Sequence, residues 1–174
     1  MPQAAPHTMP ATLREYFAIS EIDDAQLLAG PLFRRKFGSP PPAVGHHLVA
    51  LHRDEVGALR VCGYAHAGEF GDVCLIGGAC TDGEVMRALP LSHAQAIRAA
   101  GGVWYLLIKY MFARYAGRCE AFFGYCGDPR ALEVDLAAGF VQVAPPYLLA
   151  HWHKELPEVV RRALIAKVQA LGPF

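Results

Sequence analysis

Along the 174-residue chain, apolar positions switch between a period of two and a helical period, and the switches set the expected elements. Tyr16-Phe17-Ala18-Ile19 reads as a short strand. Asp23 is placed to cap a helix, with Gln26 in capping-box spacing and Leu27, Leu28, Leu32, Phe33 and Phe37 as its apolar stripe. Gly30-Pro31 kinks or divides that helix, and Ser39-Pro40-Pro41-Pro42 closes it as a stiff loop. Residues 47–53 and 59–68 read as strands joined by the turn Asp54-Glu55-Val56-Gly57. In the second, Val61, Gly63, Ala65 and Ala67 face opposite to Cys62, Tyr64 and His66. Residues 73–80 are almost wholly apolar, as in a central strand covered on both faces, and Gly77-Gly78 within it marks a bulge or a close approach by a ligand.

Helical spacing returns over residues 92–116, carried by Ile97, Trp104, Leu107, Ile108, Met111 and Tyr115. Residues 119–126 form another apolar strand. Pro129 and Arg130 open an amphipathic helix bearing Leu132, Val134 and Leu136, which Gly139 ends. Residues 140–143 and 147–153 pair around Pro145-Pro146, and Pro157 starts a last helix with Val160, Leu164, Val168 and Leu171 on one face. This order predicts a mixed α/β fold: one central, mostly antiparallel sheet flanked by helices. Residues 1–10, with three prolines and no periodicity, read as a flexible tail; 11–156 form the domain, and 157–174 a C-terminal helix packed on it. No repeat or low-complexity segment interrupts it.

Composition narrows the function classes. Lys and Arg number 16 and Asp and Glu 16, so no overall field points to nucleic acid or an anionic membrane. Although 53% of residues are hydrophobic, no run approaches the roughly 18 residues that cross a bilayer. Met1 to Pro10 lacks the pattern of a secretion signal, which points to the cytoplasm. Five cysteines without a C-x-x-C pair argue against a disulfide framework or a zinc knuckle and read as buried thiols. His151-Trp152-His153 puts two imidazoles on one strand face, but two ligands do not complete a tetrahedral site. With His46, His47 and His52 they read as exposed strand histidines, and no metal is expected.

The element order and the segment Gly127-Asp-Pro-Arg-Ala-Leu-Glu-Val-Asp-Leu-Ala-Ala-Gly-Phe140 resemble the GNAT superfamily of acyl-CoA-dependent N-acyltransferases. That family commonly ends its core with Asn-x-x-Ala-x-x-Leu-Tyr-x-x-x-Gly-Phe and a final strand pair. Asp128 takes the Asn place, Ala131 matches Ala, Val134 takes the Leu place, and Gly139-Phe140 match Gly-Phe. Asp135 stands where the family has a Tyr that often protonates the departing thiolate. Arg98-Ala99-Ala100-Gly101-Gly102-Val103 is the nearest match to the family's pyrophosphate motif Arg/Gln-x-x-Gly-x-Gly/Ala, with Val103 at its last place. Residues 81–97 intervene between strand and motif as a long insertion. The resemblance covers most of residues 15–155 in element order.

It implies acetyl-CoA or another acyl-CoA as co-substrate, held by Ala79 and Cys80 at a strand edge and by Arg98, Gly101, Gly102 and Val103 at a phosphate loop. Two readings of Gly101-Gly102 stand: that loop, or close packing inside one helix begun by the capping box Ser92-His93-Ala94-Gln95. Two interior glycines cost a helix roughly 2 kcal/mol, which favours a break. Asp82 is the candidate base, with a plain turn before Gly83 as its other reading. Tyr125 and Tyr147 are candidate acids by proximity to the expected cleft, with satisfied core tyrosines as the alternative. An acyl-cysteine route through Cys80 or Cys126 lacks an activating partner in the sequence. The expected activity is acyl transfer to a small-molecule or protein amine by direct attack on the thioester. The rival is a non-catalytic ligand-binding or interaction module of the same fold. Trp104, Phe112 or the C-terminal helix offers a face for a homodimer.

Overall fold

The computed structural model describes residues 9–144 and 146–174, so most of the expected N-terminal tail lies outside the described residues. Alternating apolar positions build seven strands: β1 (Phe17–Ile22), β2 (His46–Arg53), β3 (Leu59–Phe70), β4 (Val73–Thr81), β5 (Ala121–Tyr125), β6 (Val141–Ala144) and β7 (Leu148–His151). They form one sheet in the order β1-β2-β3-β4-β5-β7-β6. Neighbours are antiparallel except β4 and β5, which run parallel from Val73 opposite Ala121 to Ile76 opposite Gly124. A parallel pair needs a long crossover, and three helices supply it: α3 (Gly83–Ala88), α4 (Leu91–Ala99) and α5 (Gly102–Tyr115). The other helices are α1 (Ala25–Leu28), α2 (Gly30–Phe37), α6 (Pro129–Ala138) and α7 (Glu158–Leu171).

Each face of the sheet has its own core. Leu106, Leu107, Ile108, Met111 and Tyr115 of α5 bury against Leu48, Ala65, Cys74 and Phe122 on one face. On the other, Leu164 and Val168 of α7 cover Val73, Phe123 and Ala150, while Leu32 and Phe33 of α2 cover Val49, Tyr64 and Cys80. Each such side chain contributes roughly 1.5–3 kcal/mol of burial free energy.

Several local expectations are corrected. Asp24, not Asp23, caps α1, accepting from the Gln26 and Leu27 amides. Leu27, Leu28 and Phe37 stay exposed, because Ala29 and Gly30 divide the helix and turn only Leu32 and Phe33 inward. The alternation in β3 breaks where Ala50 opposes Gly63 and Leu51 opposes Val61. The bulge leaves Cys62 unpaired on the α5 side with Ala65 and Ala67, and Val61 goes to the opposite face. Residues 81–97 are not a loop but α3 and most of α4, and α4 begins after Pro90, with no cap from Ser92. On α6 the buried residues are Asp135 and Ala138, while Leu136 is exposed. Phe112 is buried and Trp104 half-buried, both packed toward the α5 core. Of the strand histidines, His47 and His52 are buried and His46, His151 and His153 half-buried: His47 bonds the Tyr64 hydroxyl at 2.8 Å, His52 bonds His93 at 3.0 Å, and His151 stacks on Phe112 at 3.8 Å.

Candidate functional site

Beyond Ile76 and Gly124 the two parallel strands part. β4 from Gly77 onward therefore has no partner on its β5 side among the described residues, and its backbone groups there are open. A cavity of about 540 Å³ occupies the gap. Its strand walls are Gly77 to Thr81 on one side and Tyr125 to Gly127 on the other; Trp104, Val134, Asp135 and Phe140 back it from the α5 and α6 side. Lys36, Phe37 and Phe174 border it from the other face.

The β4 wall is shaped by a second bulge. His66 opposes Gly77 and Tyr64 opposes Cys80, so Gly78 and Ala79 together face Ala65. Gly78 takes φ +58, a left-handed conformation that a residue with a side chain rarely adopts, and a Cβ there would lie 3.3 Å from the Phe33 ring. The bulge re-aims the backbone at the point where the strand edge is open.

Helix α5 starts beside this wall. Gly101 and Gly102 have φ +101 and +89, no side chain caps the helix, and Gly102 faces open space. Its first-turn amides thus lack the usual capping acceptor, leaving a positive helix end suited to an anion. Arg98 next to it is exposed and makes no ion pair among the described residues. Trp104, in the same first turn, reaches the cavity and donates its indole N–H to Asp135 Oδ1 at 2.8 Å. The glycines therefore interrupt the helix instead of packing inside it.

The sequence-derived residues separate into groups. Ala79, Cys80 and Tyr125 line the cavity. Arg98, Gly101, Gly102 and Val103 gather at the α5 start, just outside its wall, with Val103 buried. Tyr147 is exposed, 5.8 Å from the Tyr125 ring, and off the cavity wall. Asp82 is buried and committed elsewhere: Oδ1 accepts from the Glu84 and Val85 amides, and Oδ2 accepts from Arg35 at 2.5 Å. Asp82→Ala should accordingly lower stability by about 1 kcal/mol, mainly through the lost cap, since the half-exposed Arg35 returns to water, read as a shift in the urea midpoint. Unchanged stability would assign the carboxylate another role.

Burial pushes the Cys80 thiol up to about 11, and burial with the neighbouring Asp135 does the same to Cys126. Neither is an activated nucleophile. No group of three or more His, Cys, Asp or Glu able to hold a metal occurs among the described residues. Trp104, Lys36, Phe37 and Phe174 were not singled out as cavity residues from sequence. Asp135 carried a signal: with Ala131 and Ala138 it falls on one helical face, an acid in an otherwise small, inward row.

No protein-family model matches the chain, and no curated protein matches it in sequence. Among solved structures it is similar to the ribosomal-protein-S18-alanine N-acetyltransferase of Escherichia coli, with a TM-score of 0.50 and 12% identity over 82% of this chain and 97% of that one. The ribosomal-protein-S5-alanine acetyltransferase of Vibrio fischeri gives a TM-score of 0.52 and 11% identity over 82% and 96%. The chain thus has the fold of the GNAT acetyltransferases, at 11–12% sequence identity to these two.

Proposed function

We propose that the protein transfers an acyl group from an acyl-CoA thioester to an amine. One observation carries the reading: the open, bulged edge of β4 borders a cavity that Trp104 in the first turn of α5 also lines, and the uncapped start of that helix lies just outside the wall. The α5 amides and Arg98 would hold a pyrophosphate, and the unpaired β4 backbone from Gly77 to Thr81 would pair with the amide groups of an extended arm. Amides of the bulged segment near Ala79 and Cys80 would steady the oxyanion as an amine attacks the thioester carbonyl. Positioning is then the protein's main contribution. The acceptor, a small molecule or a protein amine, enters between Lys36, Phe37 and Phe174 in this reading.

Calorimetric titration with acetyl-CoA and a longer acyl-CoA tests it. A dissociation constant in the micromolar range, about −8 kcal/mol, is the expected result. Failure of both thioesters to bind overturns the proposal. Binding without acyl transfer to any of a panel of amines would favour the non-catalytic module instead.

A further inference from the structure

We infer that the acceptor is an aromatic amine, an assignment that rests on the acyltransferase reading above and names the substrate class of the same site. The acceptor mouth combines exposed aromatic rings with a positive charge. Phe37, Tyr125 and Phe174 line the cavity and are 36–45% exposed, where large apolar side chains are ordinarily covered. The Tyr125 ring stands edge-on to Phe174 at 6.1 Å and to the exposed Tyr147 at 5.8 Å. Phe37 sits 4.5 Å from Phe33, whose ring abuts the Gly78 bulge, and the Phe174 ring reaches within 3.9 Å of where a Cβ on Gly77 would lie. The rings thus border the stretch of β4 assigned to the acyl group, and their exposed surfaces suit a flat apolar partner.

Charge at this mouth opposes an ammonium. Lys36 is exposed and makes no ion pair among the described residues. With Arg130 it outweighs Asp128, the one exposed carboxylate among the cavity side chains. Asp128 Oδ1 is also spent on the Arg130 and Ala131 amides. Asp82, beside the β4 wall, is held by Arg35 and its own helix cap, and Asp135 lies on the α5 and α6 side, bonded to Trp104. An alkylamine, with a pKa near the roughly 10.4 of lysine, arrives as an ammonium and must lose a proton before it can attack. The nitrogen lone pair of an aromatic amine is delocalised into its ring, so it is neutral at neutral pH, is not repelled by Lys36 and needs no base to attack. In the transfer that lone pair bonds to the acyl carbon, and the carbon–sulfur bond breaks with its electron pair on sulfur. The surplus proton on nitrogen passes through water to that sulfur, giving the aryl amide and free coenzyme A.

The test compares two isomeric acceptors, 4-methylaniline and benzylamine, with acetyl-CoA and the full chain, reading release of free thiol. At pH 7 kcat/KM should favour 4-methylaniline by at least about tenfold. Its rate should be level from about pH 7 to 8.5, whereas the benzylamine rate should climb about tenfold per unit with its free-base fraction. Lys36→Glu, on an exposed position, should shift the ratio toward benzylamine by about tenfold, and Phe37→Ala should raise KM for 4-methylaniline by a similar factor with acetyl-CoA affinity unchanged by calorimetry. Preference for benzylamine, an unchanged ratio in Lys36→Glu, or transfer only to amino acids or peptides in a wider panel overturns the aromatic-amine assignment and leaves the acyltransferase reading intact. Failure of acetyl-CoA to bind, or binding with no transfer to any amine, overturns both.

Discussion

Changing Gly101 and Gly102 together to valine should weaken acetyl-CoA binding by at least about 100-fold, roughly 2.7 kcal/mol, while the chain remains folded. Both glycines sit at positive φ, +101 and +89, where a β-branched residue is a genuine outlier. A Cβ on Gly101 would also lie 2.5 Å from the Tyr105 ring. The strain is about 1–3 kcal/mol at each position, and the least costly relief is to unwind the first turn of α5. That turn carries the amides assigned to the phosphates. The remainder of α5, from Leu106 to Tyr115, is held by burial against the sheet and should keep its place. Calorimetry with a urea denaturation of the same sample separates the two effects. Undiminished affinity in the folded variant would mean that the glycines serve packing and that the phosphates, if bound, lie elsewhere.

Acid should begin to destabilise the protein before its carboxylates titrate. Burial is the first cause lowering both His47 and His52 below 6.5, and other imidazoles add to it: His66 and His46 near His47, and His93 near His52. The opposing carboxylates are Asp24 for His47 and Asp54 for His52, while Arg60 assists the depression at His52. Both rings are therefore neutral in the folded state at a pH where the unfolded chain already binds their protons. Stability is complete above 6.5 and falls as pH drops below it, until the folded midpoints are reached. Each ring adds at most about 1.4 kcal/mol per pH unit, so the pair approaches about 3 kcal/mol per unit. His66, His151 and His153 are shifted the same way but are part-exposed and add less. Glu21, Glu69 and Asp72 are shifted down, so their contribution is lost only as pH falls through the carboxylate range. Asp135, shifted up, acts in the opposite sense: its contribution is present in acid and lost as pH rises. Urea midpoints at pH 7.5, 6.5 and 5.5 should decline more between the last two than between the first two. A flat profile would mean that these histidines are solvated in the folded chain.

The element order was readable because long apolar runs with Gly and Pro punctuation leave little choice. Pro129 and Gly139 mark the ends of α6, and Pro157 caps α7. What was not readable depends on contacts far apart in the chain. The Arg35–Asp82 pair spans 47 residues, so nothing local shows that the candidate base is engaged by an arginine. His52 and His93 are 41 residues apart, so nothing local marks either ring as buried. The β3 bulge is equally silent, since Val61 and Cys62 suit either face of a covered strand and only the register against β2 decides. At the site, the bulge at Gly78-Ala79 and the break at Gly101 were visible because the pairs Gly77-Gly78 and Gly101-Gly102 are costly inside regular elements. Asp135 was visible as a missing tyrosine and as an acid on a row of small residues, but its bond to Trp104, 31 residues earlier, was not.

The short β4–β5 pairing has a mechanical consequence. Four strands on one side and three on the other are joined in the sheet only by the stretch from Val73 opposite Ala121 to Ile76 opposite Gly124. Both α5 and α7 straddle that short spine, α5 on one face against Leu48, Ala65, Cys74 and Phe122 and α7 on the other against Val73, Phe123 and Ala150, so the gap can widen only as far as these two packed helices yield. Hydrogen exchange at the amides of Leu75, Ile76, Phe123 and Gly124 would therefore report the motion of the halves, while β2 and β3 remain protected.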